Sequence, residues 1–492
     1  ITCHTCDGNY RNWLNMVPHR KHPKGSTNKI YWGTLHTETI DDLRGKILKG
    51  EIPEVEETFA FLNVAYPALN EKQLAIGETT IGGRRELIND DGLFLIEELE
   101  RLALERCTSA RQAIRLIGDL VKQYGYGDNG ECLTIADKRE VWHFEIFGAG
   151  PAQIGGVWAA VRIPDDHVGV SANIPRISEL NLNDPDHYMA SENVHSLAEE
   201  MGWWKKGEPF KFWKAYSGRK PFSDREFYIL STMAPDLKLT RELEELPFSV
   251  KPAAKLSVRD IMKYYRETYE GTDMDMTQNL TVPRGGRGRG RGGAAPADGS
   301  ETVKSPVANP WMGSDMVRLL NTLKPGVVEQ HRTIAIAGCA YSQIVQVRDG
   351  MPDDIGAIAW FSFDNPAQSP RIPIFSSVLE LPQSFEVDSQ KKFRLDSASW
   401  AFRRANRLAT VRYGATRGIM EEAIAEFEDK GFTELPAIEK AALLMLENDS
   451  SEAGRQKVRE FLTRYTNDFA RAAMERWNEL GDTFWGMFAR GF

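Results

Sequence analysis

The residues best equipped for chemistry stand at the head of the sequence, Cys3-His4-Thr5-Cys6-Asp7. Two thiols at this spacing could be half of a zinc site, but tetrahedral zinc needs a second pair of ligands. Cys107, Cys132 and Cys339 stand singly and the nine histidines show no ligand spacing, so no metal and no other cofactor is implied. As a redox pair the motif would need a helix N-terminus to stabilise its thiolate. Asp7-Gly8-Asn9 reads instead as a turn, and the apolar–polar alternation before it is that of a β-strand. At ~3.3 Å per residue, a strand sets Cys3 about 13 Å from Asp7 and turns Cys6 to the face opposite Asp7.

A second candidate is the Arg-Gly run over residues 284–293. Arginines alternating with glycine can contact phosphates and stack on bases. This run is ten residues long, carries no interleaved aromatic, and sits in a chain of formal net charge −9. A solvated, flexible linker is the favoured reading, and nucleic acid is not an expected partner. The chain has no G-x-S-x-G elbow, no Walker A loop, no H-E-x-x-H and no G-x-G-x-x-G after a strand.

The elements that must position these residues alternate in period. Short strands are expected at Thr58–Val64 and Leu74–Thr80. Amphipathic helices follow, with Leu93, Ile96, Leu99, Leu102 and Ala103 on one face, then Ala113, Ile114, Ile117, Leu120 and Val121 on another. Thr108 or Ser109 can cap the second helix, with Gln112 closing the box. Further strands are expected at Cys132–Ala136, Val141–Phe147, Val157–Ile163 and His167–Ala172, and again at Thr333–Ile336, Tyr341–Val347 and Ala357–Phe363. Strands, a helix pair and more strands make an α+β protein, not a βαβ series. The apolar stripe Val458, Phe461, Tyr465, Phe469 and Ala472 marks a helical C-terminal region packed on the core. No apolar run reaches the ~18 residues a membrane span needs, so no membrane partner is expected. Cys107 and Cys132 either pair as a disulfide or remain buried free thiols. Compartment and homo-oligomerisation stay open.

Several ordered segments resemble a known family. They are Glu78-Thr79-Thr80-Ile81-Gly82-Gly83-Arg84-Arg85-Glu86-Leu87, Gly130 to Asp137 running into Glu140 to Glu145, and Val170 to Ile177. Asp273-Met274-Asp275-Met276-Thr277, Pro352 to Gly356 and Ala359-Trp360-Phe361 complete the set. Together they resemble the dipeptidase A and secernin family of N-terminal-nucleophile (Ntn) cysteine hydrolases, related to penicillin V acylase and bile salt hydrolase. The resemblance implies a four-layer α-β-β-α Ntn-hydrolase sandwich and a small peptide as substrate. Within it, residues 1–174 would form the first part of the core and 175–280 a mixed helix and loop region of the same domain. Residues 281–305 would be the flexible insert, 306–392 the remaining core strands and 393–492 the C-terminal helices.

The resemblance also implies a mechanism in which a propeptide is clipped to expose an N-terminal Cys. The α-amine of that residue accepts the thiol proton, an acyl-enzyme forms, and water releases it. Carried over residue by residue, Asp7 would position the nucleophile, and the Asn173 side chain and the backbone at Thr79 would stabilise the oxyanion. Arg176 and His4 would meet the substrate, with His4 standing where the family has Arg. Neither Cys3 nor Cys6 fits as the nucleophile, which by resemblance opens a preceding strand. The expectation is a truncated form whose activity is in question and whose sheet has an unpaired edge. Two rivals are a catalytically inactive Ntn-fold binding protein and an RNA-associated protein acting through the Arg-Gly insert. On the solvated-linker reading, deleting residues 284–293 is expected to leave retention on immobilised RNA unchanged; lost retention would favour the RNA-associated rival.

Overall fold

The alternation at the start of the chain becomes β1 (Thr2–Asp7), with Thr2, His4 and Cys6 buried and Cys3, Thr5 and Asp7 half-buried. The computed structural model describes residues 1–151, 153–284 and 301–489; the Arg-Gly run, apart from Arg284, lies outside them. The two main sheets also take β2 (Asn15–Val17), β3 (Phe61–Asn63), β4 (Leu69–Asn70), β5 (Ala75–Thr80), β6 (Glu131–Ala136), β7 (Val141–Gly148) and β8 (Gly156–Ile163). The remaining strands are β9 (Tyr188–Ala190), β10 (Cys339–Gln346), β11 (Ile358–Phe363) and β12 (Ile372–Phe375). One sheet has the order β1-β10-β11-β12 and the other β9-β8-β7-β6-β5-β4-β3-β2, with antiparallel neighbours throughout.

The helices that matter for the site are α1 (Ile96–Arg106), α2 (Ala110–Tyr124), α3 (Asp224–Met233) and α4 (Val258–Tyr265). At the C-terminal end lie α5 (Ala398–Val411), α6 (Tyr413–Asn448) and α7 (Glu452–Met487). Antiparallel sheets with segregated helices make the class α+β. Helix α2 lies on β6, β7 and β8, whereas α5 and α7 lie on β11 and β12. Along β7 the sequence Val-Trp-His-Phe-Glu-Ile-Phe-Gly is buried almost throughout. Trp142, Phe144 and Ile146 join the main core with Ile114 and Ile117 of α2. On the opposite face Phe147 joins a smaller cluster with Phe212 and Tyr216.

The two sheets meet where β1 crosses β5 and β6. His4 Nε2 lies 3.3 Å from Glu78 Oε2, and the hydroxyls of Thr2 and Thr134 are hydrogen-bonded. A Cβ at Gly77 would stand 2.7 Å from the Cys3 carbonyl oxygen, so only glycine admits this approach.

The structure departs from the periodicity reading in instructive places. Thr333–Ile336 forms no strand; its polar groups are taken by Trp311 and Glu267 on other segments. His167–Ala172 shrinks to a two-residue strand at Val168–Gly169, paired with Ser249–Val250. A long hairpin, Thr27–Trp32 with Ile47–Pro53, was not expected from the sequence. Ser109 caps α2 through the Gln112 N–H, but the Gln112 side chain turns to Thr108, so the box is open. Cys107 and Cys132 are both free and lie in different apolar clusters, which rules out the disulfide alternative.

Burial also traps acids on α1. Glu100 is fully buried with neither carboxylate oxygen hydrogen-bonded. Its pKa is pushed well up by burial first and by Glu78 next, and burial likewise lifts Glu97 to about 8. An acid with a raised folded pKa contributes stability that is complete below its unfolded value and is lost as pH rises toward the folded one. The native protein is therefore expected to lose stability between about pH 5 and pH 8 through these groups. Glu100→Leu is expected to stabilise at pH 8 by about 1–3 kcal/mol, with a smaller gain at pH 5, in paired denaturant melts. An equal gain at both pH values would show that Glu100 is not held neutral.

Candidate active site

β1 pairs with β10 along one edge, and among the described residues its other edge meets no strand. A cleft of about 1020 Å³ runs along that edge and is lined by every residue from Ile1 to Asp7. An edge strand without a partner can show both of its faces to one cavity, and here it does.

Asp7 stands at the end of β1, where the register with β10 slips between Cys6 and Asp7. Its Oδ2 accepts a hydrogen bond of 2.6 Å from Arg332 Nη2, and its Oδ1 is buried without a partner. His4 is 3% exposed, set edge-on between Tyr66 and Tyr341, with Nε2 at Glu78 and Nδ1 unpartnered. Behind it Glu131 is pushed well up by burial and by the adjoining Glu78, which keeps it neutral.

Asn173 lies in the irregular segment after Val168–Gly169 and has φ of 63°, a left-handed conformation that Asn tolerates better than most residues. Its Nδ2 donates 2.9 Å to the Thr80 carbonyl, and its Oδ1 accepts 3.0 Å from Arg225 Nη2. An amide nitrogen carries two hydrogens, so one N–H remains for a ligand. Thr79 lines the same cleft, with its hydroxyl on the Glu78 carbonyl.

The cleft thus brings together Asp7, His4, Thr79 and Asn173. Arg176 goes elsewhere. It is 3% exposed, away from the cleft lining, and its guanidinium donates to the carbonyls of Pro221 and Pro247. With those N–H groups committed to the backbone, Arg176 ties loops together, and the expectation that it holds a substrate carboxylate is withdrawn.

Arg225 was missed from sequence. It sits in the first turn of α3, at the positive end of the helix dipole, where a cation is disfavoured. That misplacement was the available signal. Burial first and then the nearby Arg332 lower its pKa, so two cations stand at the Asp7 and Asn173 end of the cleft.

None of the five cysteines is tuned as a nucleophile. Burial pushes Cys3 up to about 11 and Cys107 up to about 12, and raises Cys6, Cys132 and Cys339 well above the ordinary thiol value. A buried neutral thiol is a poor nucleophile at neutral pH.

The family model for peptidase family C69 matches residues 49–426. That stretch includes Thr79, Asn173 and Arg225, while β1 precedes it. A probable dipeptidase of Latilactobacillus sakei is 25% identical over 385 residues, covering 76% of this chain and 70% of that protein. A probable dipeptidase A of Streptococcus pyogenes serotype M3 (strain SSI-1) is 23% identical over 412 residues, covering 81% and 77%. With a probable dipeptidase B of Streptococcus pyogenes serotype M1, 23% identical over 299 residues, the match spans 59% of this chain but 51% of the relative.

The burial of the thiols has a direct readout. At pH 7 the four buried cysteines of the folded protein, Cys6, Cys107, Cys132 and Cys339, are expected to react with Ellman's reagent far more slowly than a free thiol, and to react fully once unfolded. A fast-reacting thiol mapped to any of the four would contradict this.

Proposed function

The chain belongs to peptidase family C69, and from that premise we propose that it is a dipeptidase, cleaving short peptides through an N-terminal cysteine and an acyl-enzyme. One observation carries the reading: a single cleft is lined by all of β1, with Asp7 at its end, and by Asn173.

Strand geometry says where the nucleophile would arrive. A strand leading into β1 through a tight hairpin runs antiparallel to it. Its last residue then lies beside Thr2 and its first beside Asp7. A cysteine opening such a strand would come to the Asp7 end of the cleft, with its α-amine toward the Asp7 carboxylate. Placed there, the strand would pair with the free edge of β1. The helices on β6–β8 and on β11–β12 would then be the outer layers of an α-β-β-α sandwich.

The chemistry follows from these positions. The α-amine, with an ordinary pKa near ~8, takes the thiol proton, and Asp7 holds the resulting ammonium. The thiolate sulfur bonds to the substrate carbonyl carbon, and the electron pair of the C=O moves to oxygen. The second N–H of Asn173 stabilises that oxyanion, assisted by the nearby positive charge of Arg225. The C–N bond then breaks as the ammonium returns its proton to the leaving amine. Water attacks the thioester, releases the acid and restores the thiol. His4 lines the cleft that would receive the substrate, and Lys138, Asp165 and Lys251 in the same lining suit a ligand with two charged ends.

The test begins with intact mass and N-terminal sequencing of the protein from its natural source, followed by dipeptide hydrolysis before and after alkylation. A mature N-terminal Cys, one fast alkylation at that residue and parallel loss of hydrolysis are expected, with Asn173→Ala lowering kcat about 10²–10³-fold. Hydrolysis that survives complete alkylation, or no hydrolysis by a protein that begins with Cys, would defeat the proposal.

A further inference from the structure

The segment that carries Asn173 has almost no regular structure of its own, because residues 170–177 form neither helix nor strand. Its backbone N–H groups are instead taken by two carboxylates from distant elements. The Ala172 N–H donates 2.7 Å to Glu226 Oε1 on α3. The Ile177 N–H donates 3.1 Å to Glu145 Oε1 on β7, and the Arg176 N–H donates to the same oxygen. Both glutamates are 0% exposed.

Burying a carboxylate is costly unless its charge is met by donors. The geometry shows why a neutral side chain would not serve at position 226. Glu226 Oε2 accepts 2.9 Å from the Ser223 N–H and completes the capping box of α3, while Oε1 accepts from Ala172. A glutamine has one oxygen and one NH₂, so it can accept only one of these two donors and turns a donor against the other. Arg225, the preceding residue, donates 2.7 Å to the Ala172 carbonyl. The first turn of α3 therefore grips both the N–H and the C=O of the residue before Asn173. On the far side Glu145 is itself held by His143, whose Nε2 lies 2.8 Å from Oε1. Asn173, at φ 63°, sits between these two anchors.

We infer that Glu226 and Glu145 are positioning residues for catalysis, a pair of buried carboxylates that clamp the backbone on either side of Asn173 and aim its amide into the cleft. The inference rests on the proposed hydrolase activity for its consequence, though not for its geometry. A group displaced by ~1 Å from its reacting position loses about 100-fold in rate. Loss of the clamp should therefore appear in kcat with KM little changed, since Asn173 meets the oxyanion rather than the bound substrate.

The experiment compares Glu226→Gln and Ser223→Ala in the full mature enzyme, measuring kcat and KM on a dipeptide and amide hydrogen exchange over the peptide spanning residues 171–178. Ser223→Ala removes the cap hydroxyl but leaves the carboxylate on Ala172. The expected result is a fall in kcat of about 100-fold for E226Q, with faster exchange in that peptide. S223A should lower the melting temperature and leave both kcat and the exchange unchanged. Should E226Q not fold, Glu226→Asp keeps the charge for the cap but falls short of Ala172, and the same kcat and exchange changes are expected. Wild-type kcat in E226Q, or an equal fall in both variants, would mean that Glu226 is only a helix cap and would overturn the inference. If the wild-type enzyme hydrolyses no peptide, the functional reading has failed by itself. The exchange arm still decides the clamp, because unchanged exchange in E226Q overturns it without reference to activity.

Discussion

A strand hydrogen-bonded along one edge only can offer side chains from both of its faces to a single cavity. Among the described residues β1 is such a strand, and the site depends on where it lies. Its free edge is the floor of the cleft, and its paired edge is fixed by β10. Its height above the eight-stranded sheet is set by Gly77, where the Cys3 carbonyl takes the space a Cβ would need. Raising β1 there would separate His4 from Glu78 and move Asp7 relative to the Asn173 segment, which is anchored to the other sheet through Thr80 and Glu145.

The electrostatics of the site follow from the same stacking. Taking charges out of water is tolerated only where donors or opposite charges replace it. Around the cleft the carboxylates of Asp7, Glu145 and Glu226 find such partners in Arg332 and in backbone N–H groups. Deeper in the sheet interface and under α1, Glu131, Glu97 and Glu100 find too few, and burial keeps them protonated. The division separates carboxylates met by donors, which can orient a dipole or an ammonium, from acids left without them.

Much of this was legible in the sequence because it depends on local period. Leu93 to Ala103, Ala113 to Val121 and the strands from residue 132 to residue 163 are each coherent in period, and they form where periodicity places them, except that the first helix begins at Ile96 and leaves Leu93 outside it. The positions of Asp7 and Asn173 on one cleft followed from a resemblance, since nothing in periodicity pairs residue 7 with residue 173. What escaped was set by tertiary partners. Arg176 was expected at a substrate carboxylate because a guanidinium can bind one through two N–H groups, yet its side chain turns away to Pro221 and Pro247. Arg225, which does reach Asn173, lies 52 residues along the chain on a helix of its own. His167–Ala172 reads as a strand by alternation, but Glu226 takes the Ala172 N–H that a neighbouring strand would have used.

The C-terminal helices have a part in the site although they are remote from it. β10 can hold β1 only if the four-stranded sheet is itself fixed, and α5 and α7 cover β11 and β12 on its outer face. The turn after β11 shows how firmly. Asp364 has φ of 55° and is fully buried, yet its carboxylate is met by Arg403 and Asn406 of α5. Trp477 of α7 donates to the carbonyl of Gln368 and to Asn406 in the same knot. A strained residue held by convergent polar contacts persists because its surroundings over-determine it. Here they fix the end of β11 that lies beside Tyr341 on β10, and Tyr341 is in turn the residue opposite Cys6 on β1. The positional accuracy available to Asp7 is thus drawn from the packing of helices on the far side of its sheet, and loosening α7 would reach the cleft without touching any residue that lines it.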